Sequence, residues 1–434
     1  MDTPVCDFVR RYCDSGTTRL HMPGHKGQGP LGCEHLDITE ISGADSLYEA
    51  DGIIAQSEAN ASALFGCPTF YSTEGSSQCI RAMVYLAMLD AKEKGKPLRI
   101  AAGRNAHKTF LSATALLDAQ VVWLYPKAGE SYLSCTVTPA DLESLEDISA
   151  VYLTSPDYLG NVADIAAIRA VCRRKGILLL VDNAHGAYLR FLQPSLHPMD
   201  LGADICCDSA HKTLPVLTGG AYLHVRSTQL AAQAKDALAL FGSTSPSYLI
   251  LQSLDAANRL LATDYPQQLA ACIQSVAQCR TQLTAHGYHF AGNEPMKLTI
   301  AAKPFGYTGT ELAHLLRQND LECEFSDPDY LVLMPTPVSD LDRLTNVLAS
   351  FTPRTPLASP PPAFSRPECV LSIREAAFSP SCLIPVENSL GHVLAAATVG
   401  CPPAVPIVVC GERIDENAIR CFQYYGIETC RVCK

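Results

Sequence analysis

"ADIAAIRAVCRRKGILLLVDNAHG" (163–186) carries a helix, a turn and a strand in immediate succession. Ile165, Ile168, Val171 and Cys172 recur at helical spacing, and Arg173, Arg174 and Lys175 then precede Gly176, as a helix C-terminus favours. "ILLLV" follows as an unbroken apolar run of strand length, closed by Asp182. A strand with no polar alternation is covered on both faces, which is the signature of a parallel sheet between helices.

The same alternation extends over residues 60–250. "PLRIAAG" (97–103), "QVVWLYP" (120–126), "ISAVYLTSP" (148–156), "ADICCDSA" (203–210) and "GGAYLHV" (219–225) read as further strands. "SSQCIRAMVYLAMLDAKEKG" (76–95) reads as a helix ending in Lys and Gly. The expected fold class is therefore α/β with a mostly parallel central sheet. In such sheets ligands lie beyond the carboxyl ends of strands. "RNAHK" (104–108), "SPDY" (155–158), "DNAH" (182–185) and "SAHK" (209–212) all fall there.

Composition narrows the classes. The 434 residues have a net charge of −11 and no long basic run, which argues against nucleic acid or an anionic membrane as partner. No signal-peptide pattern and no long apolar span is present, so a cytoplasmic protein is expected. The nineteen cysteines are scattered through a large chain and read as free thiols. The pair Cys430 and Cys433 supplies at most half a zinc site, so no metal is expected. The division expected is an N-terminal arm (1–35), a large domain (36–262), a small α/β domain (263–351) with strands in "EPMKLTIAAKP" and "DYLVLMP", a Pro-rich linker (352–367), and a last subdomain (368–434) with "AVPIVVC" as a strand.

The chemistry starts from Asp182 and Lys212. Adjacent parallel strands would bring both to one edge of the sheet. A buried carboxylate there needs a cation or strong donors, and a desolvated lysine offers a neutral amine for imine formation. The two residues also fit a plain buried ion pair. Pyridoxal 5'-phosphate requires this combination, because its aldehyde forms a Schiff base with a lysine while its ring nitrogen stays protonated beside a carboxylate. "STEGSSQ" (72–78) adds a Gly/Ser turn before a long helix, where N–H groups and the Ser76 and Ser77 hydroxyls would cradle a phosphate, or simply cap the helix. His107 is a flat ring suited to lie over a pyridine. His185 and His211 flank the Asp and the Lys, and either would donate to a phosphate or a substrate carboxylate.

Together "LHMPGHKG" (20–27), "DITEISGADSLYEADGIIAQSEANASALFG" (37–66), "GRNAHKT" (103–109), "VDNAHGAY" (181–188), "SAHKTLPVLTGG" (209–220) and "STSPSYLILQSLDAA" (243–257) resemble the ornithine/lysine/arginine decarboxylase family. The match runs from about residue 19 to 350 and resumes in "VPIVVCGERI" (405–414). The resemblance implies the aspartate aminotransferase-like fold (fold type I), with smaller C-terminal domains. It implies Lys212 as the Schiff-base lysine, Asp182 against the pyridine nitrogen and His107 on the ring. Ser76 and Ser77 fall where such enzymes hold the phosphate, with Ser209 and His211 nearby and Ala184 and His185 in the segment after the Asp. Ser243 and Thr244 resemble a segment that reaches a phosphate across a dimer interface, so a homodimer or higher homo-oligomer is implied. The chain resembles the short form, which starts near the "HMPGHKG" arm.

Four departures stand out. Residue 183 is Asn where the family commonly reads "DEAHG", "SPDYLG" introduces Asp157, "LTGG" replaces "LTQ" at 217–220, and "CPPA" (401–404) stands for "YPPG". The expected reaction is α-decarboxylation of lysine, arginine or ornithine to a diamine or agmatine, a step of polyamine biosynthesis. Carboxylates for the cationic side chain are sought in "DITEISGAD" (Asp37, Glu40, Asp45), in Asp157, and in "ECEFSDPD" (Glu322, Glu324, Asp327, Asp329), each of which also fits a solvated charge or a helix cap. The rival readings are another reaction of the same fold, transamination or a lyase step, and a cofactor-binding scaffold without turnover.

Overall fold

A computed structural model of the chain describes residues 1–363, 365–396 and 403–434. Seven strands follow one another in the part read as alternating: β1 (Thr69–Ser72), β2 (Arg99–Gly103), β3 (Gln120–Leu124), β4 (Ala150–Thr154), β5 (Leu178–Asp182), β6 (Ile205–Asp208) and β7 (Ala221–Val225). Four more, β8 (His289–Ala291), β9 (Leu298–Ala301), β10 (Phe325–Ser326) and β11 (Tyr330–Leu333), form a small antiparallel sheet in the order β10-β11-β9-β8. β12 (Ser381–Pro385) and β13 (Thr429–Cys433) pair as a two-stranded ribbon. The fold class is α/β, as the alternation predicts.

The chain forms two compact units, each discontinuous in sequence. The first holds Met1–Pro97 with Ile165–Gln268, and the second holds Leu98–Asp164 with Leu269–Lys434. In the first, the strand order is β1-β7-β6-β5. β5 and β6 are parallel, with Asp182 opposite Cys207, and every residue of both strands is buried. β7 runs antiparallel to both β6 and β1. Its reversal goes with its connection: the segment after β6 carries only the single turn Ala210–Thr213 and no crossover helix of the kind that usually joins parallel strands. Since β1 opposes β7, it points the same way as β5 and β6, and the carboxyl ends of all three lie at one edge.

The helix Gly75–Glu93 buries Cys79, Ile80, Met83, Val84, Leu86 and Ala87 against β5, β6 and β7. The expected helix after residue 245 is present as Tyr248–Ala262, capped by the Ser247 hydroxyl. It packs on Ile53–Phe65 and on Pro4–Asp14, and Asp255 within it accepts from Ser57 Oγ at 2.6 Å and from the Cys6 N–H at 3.0 Å.

In the second unit β4, β2 and β3 lie side by side and parallel. Arg104, one residue beyond β2, is completely buried and bonds Glu412 at 2.8 Å and the carbonyls of Pro406 and Ile407 at 3.1 and 3.2 Å. This pairing corrects the strand expected in "AVPIVVC" (404–410), which is buried but forms no strand. Pro406 has no N–H to give a ladder, and the carbonyls around it are taken by the guanidinium. Cys430 and Cys433 lie instead on β13, where positions three apart face opposite sides of the ribbon and cannot share one ion. Residues 401 and 402 of "CPPA" lie outside the described residues. Ala404, where the family pattern has glycine, adopts φ +59°, a backbone conformation that costs a residue with a Cβ about 1 kcal/mol. Among the described residues no helix is long and apolar enough to cross a membrane.

Candidate active site

The edge formed by the carboxyl ends of β1, β5 and β6 gathers most of the residues singled out in the first unit. β5 ends at Asp182, which is 2% exposed; its Oδ1 accepts the Ala184 N–H at 3.2 Å. β6 ends at Asp208, and Ser209 then starts the one-turn helix Ala210–Thr213 that carries His211 and Lys212. Lys212 is half-buried, and its Nζ lies 2.9 Å from Nε2 of the buried His185. When Lys212 donates in this contact, Nε2 accepts and the ring proton sits on Nδ1.

The Gly/Ser turn sits beside this helix. Gly75 has φ +70° and starts the helix Gly75–Glu93, whose N-cap Glu74 makes no side-chain cap. Ser76 Oγ is 2.8 Å from Ser209 Oγ, so hydroxyls from the turn and from the Lys212 helix meet. The "LTGG" departure is explained here. The Gly219 carbonyl accepts the Gly75 N–H at 2.7 Å, and a Cβ on Gly219, at φ +100°, would lie 2.8 Å from the Thr73 carbonyl oxygen. The Gly220 carbonyl accepts the His211 N–H at 3.2 Å and its Nδ1–H at 3.0 Å. Burial pushes the His211 imidazole below its usual range, against that bond and with help from the Lys212 charge. His211 is thus a neutral ring whose Nε2 accepts rather than donates.

A second cluster lies directly behind. Asp208, fully buried, accepts from Asn183 Nδ2 at 2.7 Å on Oδ1, and from His197 Nε2 at 3.0 Å and His224 Nε2 at 3.1 Å on Oδ2. These donors hold its carboxyl far below the usual range although burial opposes them, and Asp208 raises His224 in return. The Asn183 departure has its reason here, since a glutamate at 183 would set a second carboxylate against Asp208. Among the described residues His197, Asp208 and His224 are the one trio close enough to share a metal ion. Their hydrogen bonds do not suit one: His197 Nδ1 accepts the Met199 N–H at 3.3 Å, so its Nε2 must carry the proton that a metal would displace. Sequence reasoning missed this trio; the available signal was histidine inside apolar runs, which ordinarily means a satisfied core residue.

The remaining candidates are spread wider. His107 belongs to the second unit, where it follows β2 and caps the helix Lys108–Leu117, its Nδ1 accepting the Thr109 N–H at 3.1 Å. Ser77 and Ala184 are half-buried, and Ser243 and Thr244 are exposed. Asp37 pairs with His25 at 3.2 Å, Glu40 is exposed, and Glu324 is exposed and accepts from Tyr158 at 2.9 Å. Glu322 pairs with Arg317 at 2.9 Å, and Asp327 and Asp329 lie together in the second unit, buried. Asp157 is buried within its own turn, its oxygens taken by the N–H groups of Leu159 and Asn161 and by Asn161 Nδ2, all within 2.9 Å.

Asp45 does similar work for a helix. It accepts N–H bonds from Gly52, Ile54 and Ala55 at the start of Ile53–Phe65 and from Ser46 and Asp51 before it. Asp45→Ala should therefore cost about 1–2 kcal/mol in a denaturant titration, as loss of a helix cap does. A rise in KM at unchanged stability would instead make Asp45 a substrate ligand.

The family model for Orn/Lys/Arg decarboxylase, major domain, matches residues 3–343. The chain belongs to the Orn/Lys/Arg decarboxylase family. The decarboxylase is 29% identical over 458 residues to an arginine decarboxylase of Halalkalibacterium halodurans, covering 96% of this chain and 91% of that one. It is 28% identical to an arginine decarboxylase of Bacillus subtilis, covering 96% and 92%. The structure of the Escherichia coli constitutive lysine decarboxylase superposes with a TM-score of 0.78 at 16% identity, covering this whole chain and 82% of that one. The fold is that of the fold type I enzymes, and the function is pyridoxal-phosphate-dependent decarboxylation of a basic amino acid.

The residues of the first unit suit that cofactor. A lysine amine, a buried carboxylate on the adjacent strand, and hydroxyls at a long helix start without a side-chain cap are the donor set for an aldehyde, a ring nitrogen and a phosphate.

Proposed function

We propose that the decarboxylase acts on arginine and releases agmatine and CO₂, with Lys212 as the lysine that holds the cofactor aldehyde. The observation that carries the assignment is Lys212 Nζ at 2.9 Å from His185 Nε2, on the loop after a strand whose parallel neighbour ends in buried Asp182. The arginine decarboxylases of the relatives, alike over nearly the whole chain, support the choice of substrate.

Pyridoxal phosphate, when bound, supplies a cationic conjugated ring that accepts the electron pair left by the departing carboxylate. Asp182, desolvated and fixed by its own turn, holds a proton at the ring nitrogen. Ser76, Ser77 and Ser209, with the N–H groups at the helix start, bind the phosphate, and His211 accepts a phosphate proton or a water through Nε2. Ala184, whose side chain is a single methyl group, would leave room for the cofactor beside Asp182. His185 would hold the free Lys212 ammonium through Nε2, and that ammonium would give its proton to Cα. The enzyme works as a cytoplasmic homodimer, each chain lending Ser243 and Thr244 to its partner, and its product enters polyamine synthesis.

The test is trapped CO₂ from carboxyl-labelled arginine, lysine and ornithine given to the holoenzyme. Arginine should exceed the others by about tenfold or more in kcat/KM, the least that a difference in side-chain length of one methylene confers. A preference for lysine or ornithine overturns the choice of substrate, and absence of CO₂ from all three overturns turnover itself.

A further inference from the structure

The second unit contains a cavity of about 650 Å³, within the ~300–1,000 Å³ typical of small-molecule sites. Its wall is mostly aromatic and apolar, with Tyr132, Phe325, Phe422, Tyr424 and Tyr425, and it includes Asp327. Asp327 is only 6% exposed. It sits in the hairpin between β10 and β11, where Oδ1 accepts the N–H groups of Asp329 and Tyr330, each at 2.7 Å. Among the described residues its Oδ2, itself fully buried, has no hydrogen-bond partner. The nearby cation is already committed: Lys303 Nζ lies 2.7 Å from Asp329 Oδ1, which also accepts from the Tyr424 hydroxyl at 2.8 Å. Burial pushes Asp327 up to about 6, so near neutral pH this carboxyl is mostly charged with one oxygen unmatched.

A desolvated, half-matched carboxylate among aromatic faces is the chemistry that recognises an organic cation. We propose that this cavity is a second ligand site, taking an aliphatic guanidinium or ammonium compound with its charged end on Asp327 and its methylene stem along Phe325, Phe422 and Tyr425. Two sources supply that cation, the basic amino acid and the amine left after decarboxylation. Arg431, the one basic residue on the described lining, is placed to tell them apart, because only the amino acid brings a carboxylate. The proposal rests on the preceding reading only for its choice of probes.

Titration calorimetry tests it on holoenzyme first reduced with borohydride, which blocks exchange at Lys212, with arginine and agmatine as separate probes. Saturable binding of at least one probe is expected, weakened about tenfold or more in Asp327→Asn and unchanged in Glu428→Gln, an exposed acid beside the cavity wall. Should Asp327→Asn fail to fold, Ile427→Trp, which fills the cavity from its wall, must weaken binding instead. Tighter arginine assigns the site to the amino acid and tighter agmatine to the amine, both in support. Binding that ignores these substitutions, or neither probe binding the reduced enzyme, overturns the site. A protein that takes no label at Lys212 but binds through Asp327 refutes the active-site reading and leaves this one standing.

Discussion

Lys212→Ala is expected to lower kcat by about 10⁴-fold or more, at or above the top of the roughly 10²–10⁴ that one positioned acid or base contributes, because the same amine also fixes the cofactor. The fold should survive, since Lys212 is half-buried on a single helical turn and its amine bonds a histidine side chain. The variant should keep the circular dichroism and melting behaviour of the parent protein and lose the visible absorbance of the lysine-bound cofactor. An added small amine should restore part of the turnover, because the missing group is an amine that carries a proton. His185→Gln is the graded partner: it removes the acceptor for the Lys212 proton but leaves the amine, so its deficit should be smaller and depend on pH. A Lys212→Ala enzyme with unaltered kcat would remove the lysine from the reaction.

The second large effect concerns stability. Asp208→Ala leaves the Nε2–H groups of two fully buried histidines and the Asn183 amide without their acceptor. Breaking a buried charged network by removing one partner costs about 3–5 kcal/mol, to be read as a shift in the denaturant midpoint. The pH dependence has a definite sign. Asp208 is held below the carboxylate range, so its contribution is present above that range and lost only in strong acid, as pH falls through the folded value. His224 is raised above about 6.5, so its contribution is full below that value and fades as pH rises through the folded value. The stability gap between the parent protein and Asp208→Ala should therefore narrow from pH 6 toward alkaline pH. A gap below ~1 kcal/mol would mean that water or a rearranged Asn183 satisfies the histidines.

Much of this was legible from residue order. Helical spacing followed by Arg, Lys and Gly, then an apolar run closed by Asp182, describes what the segment 163–186 does. The adjacency of β5 and β6, which brings Asp182 and the Lys212 loop to one edge, follows from the same pattern. The misses have physical reasons. β7 is reversed because a short return was open to it, and a run such as "GGAYLHV" looks alike in either direction. "AVPIVVC" is apolar enough for a strand, but its carbonyls are committed to Arg104, a partner some three hundred positions away. A cationic substrate side chain calls for carboxylates, and residue type alone offers Asp45 and Asp157. Each is satisfied by backbone N–H groups of its own neighbourhood, which depends on loop geometry and not on residue type. Asp208 was hidden in plain view as the first letter of "DSAHK": its partners come from β7 and from the segment after residue 195.

The most direct test of the account is to reduce the holoenzyme with borohydride, digest it and locate the pyridoxyl group by mass. The account predicts a single modified lysine, Lys212, in the peptide containing "SAHKTLPVLTGG". A pyridoxyl group on any other lysine, or an unmodified Lys212 in protein that releases CO₂ from arginine, would contradict it.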